Sequence, residues 1–135
     1  MIFNSTISLA QSTSYKSPLE SKLENLVNQI ADPKLKNEIQ DELATGYTIQ
    51  LAMPTATSTT RELPQLIHVQ TQSPKYILIN YELYKEEESY SILAQAILRL
   101  LENKYGRATN DLEFNELNSA ITKAKRVDQT SNQRE

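Results

Sequence analysis

Apolar residues recur along this chain with two periods, and the first change of period comes at Tyr47. Before it, Leu19, Leu23, Leu26, Val27 and Ile30 fall at helical spacing and make one stripe. Ser17-Pro18-Leu19-Glu20 opens that stripe as a capping box, with proline at the first helical position where its missing N–H costs nothing. Asp32-Pro33 repeats the signal and starts a second helix with Leu35, Ile39 and Leu43 inward and Gly46 as its left-handed stop. From Tyr47 the period is two: Tyr47, Ile49, Leu51 and Met53 alternate with Thr48, Gln50 and Ala52, which predicts a half-buried strand ended by Pro54.

Residues 55–65 read as a polar, Thr-rich, mobile loop. Leu66 to Thr71 predicts a second strand, Gln72-Ser73-Pro74-Lys75 a turn, and Tyr76 to Tyr81 a third strand whose continuous apolar run suggests burial on both faces. The helical period then returns. Glu86 to Tyr105 predicts a long helix stopped by Gly106, and eight of the ten residues from Ile92 to Leu101 are apolar. Asn110-Asp111-Leu112-Glu113 is a further capping box, opening a last helix with Phe114, Leu117, Ile121 and Ala124 on one face. The fold class that follows is α+β: a small, mostly antiparallel three-stranded sheet with four helices packed mainly on one face. A flexible N-terminal arm spans 1–16, with a short strand around Phe3–Leu9 as the alternative. The domain spans 17–127, and 128–135 is expected to be a disordered tail.

Composition removes more chemistry than it suggests. The chain has 135 residues, no cysteine, one histidine and two glycines. A disulfide scaffold, a thiolate metal site, a Ser–His triad and a glycine-rich phosphate loop are therefore hard to build. No metal and no cofactor is expected. Fourteen basic against seventeen acidic residues leave a net charge of −3, which disfavours a general nucleic-acid binder. Lys123, Lys125 and Arg126 form the one candidate basic patch, and a solvated helix face is the favoured reading of it. No apolar run is long enough to span a membrane, and the N-terminus lacks the basic start of a secretory signal, so a cytoplasmic protein is expected.

Gln95 and Arg99 are the polar exceptions in the apolar helix and stand one turn apart. His68 alternates with Ile67 and Val69 and reads as a half-exposed strand position. Tyr76, Tyr81, Tyr84 and Tyr90 read as packing aromatics with wet hydroxyls. The acids Glu86, Glu87 and Glu88 suit the first turn of a helix.

The stretch Tyr76-Ile77-Leu78-Ile79-Asn80, followed by Ile92 to Leu101 and then Glu116-Leu117-Asn118, resembles the strand and active-site helices of the ImmA/IrrE-type small zinc metallopeptidases. In that family the helix carries H-E-x-x-H, and a glutamate on the next helix completes a zincin-like metal site. The corresponding positions here are Gln95, Ala96 and Arg99, with Glu116 as the third. Glutamine is a poor zinc ligand, alanine takes no proton and arginine repels a cation. The resemblance thus implies a pseudo-peptidase, in which the Arg99 guanidinium replaces the metal beside Glu116 and Gln95 completes the hydrogen bonds. The function expected is a non-catalytic protein-interaction or regulatory domain whose partner is another protein, for instance a peptide segment laid along a sheet edge. The alternatives are an enzyme of unidentified class acting through carboxylates such as Glu82 or Glu116, and a small nucleic-acid-associated module using the basic C-terminal helix.

Overall fold

A computed structural model of the chain describes residues 17–52 and 66–133. The arm of residues 1–16, Met53, Pro54 and the Thr-rich loop of 55–65 lie outside the described residues. Both proline-marked helices form where expected, α1 over Pro18–Asn28 and α2 over Pro33–Leu43. At the head of α1, Ser17 and Glu20 cap each other reciprocally at 3.2 and 3.3 Å. At α2, the Asp32 carboxylate accepts the Leu35 N–H at 2.8 Å. Each cap satisfies amide donors that the first helical turn leaves without a partner.

Three strands follow: β1 over Thr48–Ala52, β2 over Ile67–Gln70 and β3 over Tyr76–Asn80. They make a mixed sheet in the order β1-β3-β2. β2 and β3 are antiparallel, as their short connection requires, but β1 and β3 are parallel. The expected mostly antiparallel sheet is corrected on this point. The chain leaves β1, forms β2 at the far edge and turns back, so β3 enters the middle in the direction of β1. β3 is also less buried than its apolar run suggested: Ile77 and Ile79 are buried, while Leu78 and Tyr76 are half-buried. In register, Ile49, Leu51, Ile67 and Val69 share the face of Ile77 and Ile79, whereas Gln50 and exposed His68 flank Leu78 on the other.

The third helical segment divides into a 3₁₀ turn over Glu86–Glu88 and the helix α3 over Ser89–Tyr105, which Gly106 ends at φ +66°. α3 is the centre of the core: Ile92, Leu93, Ile97, Leu100 and Leu101 are all buried, and it packs on α1, α4 and β2. α4 spans Asp111–Gln133, so the helix continues past residue 127, where a disordered tail was expected to begin. One tie on this last part is a buried hydroxyl: Tyr90 donates to the Asp128 carboxylate at 2.6 Å. The Asn25 amide also donates to the Tyr90 hydroxyl and to the Ala124 carbonyl, joining α1, α3 and α4.

The inward face of α4 is also rotated from the expected stripe. Leu117, Ala120 and Ala124 are buried, but Phe114 is 53% exposed and its neighbour Glu113 only 4%. Two forces hold Glu113 inward. Its carboxylate caps the Asn110 N–H at 2.9 Å, and it takes two bonds from the Arg107 guanidinium at 2.8 and 3.1 Å. A bidentate pair of this kind fixes orientation as well as charge, and it holds the Glu113 carboxyl below its ordinary range.

Candidate functional site

A small sheet has two edges, and in each edge strand alternate residues turn their N–H and C=O groups away from the neighbouring strand. On β2 those residues are Ile67 and Val69. α3 lies alongside and supplies a side-chain donor to each carbonyl: Arg99 Nη1 reaches Ile67 O at 3.1 Å, and Asn103 Nδ2 reaches Val69 O at 3.0 Å. The spacing explains the match. Residues four apart on a helix lie about 6 Å apart along its axis, close to the two-residue repeat of a strand. Side chains that occupy an edge in this way block its pairing with another chain.

β1 forms the opposite edge. Thr48 N donates to Lys75 O and Tyr81 N donates to Ala52 O, so Thr48, Gln50 and Ala52 face β3 in the parallel ladder. The N–H and C=O groups of Ile49 and Leu51 therefore point outward, and no strand pairs with them among the described residues. Two cavities flank this edge. The larger, about 470 Å³, has Leu23, Val27, Leu43, Ile49 and Ile77 for its apolar walls, with Glu20 and Glu24 also lining it. The smaller, about 340 Å³, lies between Leu19, Lys22 and the stretch Ile49 to Leu51, and Tyr84 and Glu86 help to line it. Ile49 borders both, so α1 and β1 enclose one trough with two widenings.

A buried carboxylate anchors the larger widening. Glu42 is 8% exposed at the end of α2, and its carboxylate accepts the Tyr47 hydroxyl at 2.6 Å and lies 2.9 Å from the Lys104 ammonium of α3. The Tyr47 bond and the Lys104 charge hold the Glu42 carboxyl below its ordinary value, against the opposing effect of burial. Burial and the same carboxylate push the Tyr47 hydroxyl up, so it stays a donor. α2, β1 and α3 meet at this one group, and Leu43 and Tyr47 beside it form the end wall of the cavity.

The sequence-predicted site does not assemble. Arg99 and Gln95 are exposed on α3, with Arg99 at the β2 edge. Glu116 serves another element: its Oε1 accepts the Ala31 and Asp32 N–H groups at 3.2 and 3.0 Å and so closes the α1–α2 connection. The expected internal cation beside Glu116 is corrected accordingly, since a carboxylate satisfied by two backbone donors has no need of one. Lys123, Lys125 and Arg126 are exposed along α4, and Glu82 is exposed beyond β3. His68 is exposed on β2, its ring centroid 5.5 Å from that of Tyr76. Among the described residues, no group of three or more His, Asp or Glu side chains converges as a metal site would require.

Sequence reasoning passed over Glu42, Asn103 and the β1 edge. Two of these left a signal. Glu42 falls inside the stripe Leu35, Ile39, Leu43, where an acid needs a partner, and Asn103 continues the polar line of Gln95 and Arg99 by one more turn. The open edge left none, because strand order is not written in any local pattern. The architecture is thus a small α+β domain in which, among the described residues, one sheet edge is capped by side chains and the other is unpaired. No family model, curated protein or solved structure matches the chain.

Proposed function

We infer that this chain is a non-catalytic protein-interaction domain, and that its partner is a polypeptide held in the trough between α1 and β1. One observation carries this: the outward backbone groups of Ile49 and Leu51 open onto two apolar-walled cavities, while the other edge of the same sheet is capped by Arg99 and Asn103. An open edge is a hazard for a free domain and a ready surface for a bound one. The larger cavity falls within the size range of specific binding clefts. The zinc-peptidase resemblance gives no support to a shared site, because Arg99 and Glu116 each serve a different element.

A photo-crosslinking amino acid placed at Gln40, which lines the larger cavity, tests the inference in the native host. It should capture a discrete polypeptide that the same probe at Lys123, on the exposed face of α4, does not. Equal capture at both positions, or none at Gln40, overturns it. Capture of nucleic acid at Lys123 would favour the basic helix instead.

A further inference from the structure

We draw no further inference here: the strongest candidate, the trough between α1 and the unpaired β1 edge, belongs to the site already described, and nothing among the described residues shows what covers it.

Discussion

On the β2 edge the outward carbonyls of Ile67 and Val69 each receive a side-chain donor from α3, whereas on the β1 edge the matching groups of Ile49 and Leu51 face two cavities. The difference comes from where α3 lies. It packs on β2, and its Arg99 and Asn103 reach the strand's edge. α1 stands beside β1, but its Leu19, Leu23 and Val27 cannot cap a carbonyl and its Lys22 is turned to Glu86 and Ser89. A polar pair in an apolar helix can therefore be an edge guard with no catalytic ancestry. The edge without such a guard is the one to search for a partner.

The largest expected effect lies at the anchor of the open edge. Glu42→Ala removes a buried carboxylate and leaves Lys104 and the Tyr47 hydroxyl without it, which should cost about 3 kcal/mol in a urea melt. A loss under about 1 kcal/mol would show that β1 is held by packing alone. At the guarded edge, Arg99→Ala and Asn103→Ala should each cost about 1 kcal/mol, and the double substitution about the sum. The double variant should also self-associate more readily, because β2 then presents free carbonyls; sedimentation velocity at rising concentration reads this. An unchanged monomer would end the account of these two side chains as guards.

Acid should separate the edges further. The Glu42 carboxyl is held below its ordinary value, chiefly by the Tyr47 hydroxyl and also by Lys104. On acidification the unfolded chain takes up its proton first. The stability this group supplies is thus complete above about pH 5 and is lost as pH falls through the lowered folded value. Urea melts between about pH 3 and 7 should show a smaller acid loss in Glu42→Gln than in the parent. The smallest effect concerns amide exchange in β1. Ile49 and Leu51 should exchange at least about tenfold faster than Gln50, whose N–H faces β3, since outward amides need no opening of the sheet. Equal protection would mean that the edge is covered in the free protein.

Much of this was legible locally. The caps at Ser17, Asp32 and Asn110, the stop at Gly106 and the alternation in β2 each depend on residues within one turn or one strand of each other. The candidate site was legible only in part. Gln95 and Arg99 were visible as exceptions, but the partner of Arg99 is a backbone carbonyl 32 residues away, and a carbonyl carries no signal in a sequence. The inward face of α4 was misplaced for a related reason. Phe114 is more apolar than Glu113, yet a capping box and the Arg107 pair outweigh the phenylalanine's burial.

Among the described residues, sequence alone thus determined the kind and order of the four helices and three strands, because helix caps and hydrophobic periods are short-range properties of the chain. Tertiary structure decided that β1 runs parallel to β3, that α3 lies along β2, and that Glu42 meets Tyr47 and Lys104 between three elements. Those outcomes depend on which apolar faces bury one another most completely. That competition is settled among segments far apart in the chain, and among the described residues it leaves the β1 edge unpaired beside a trough.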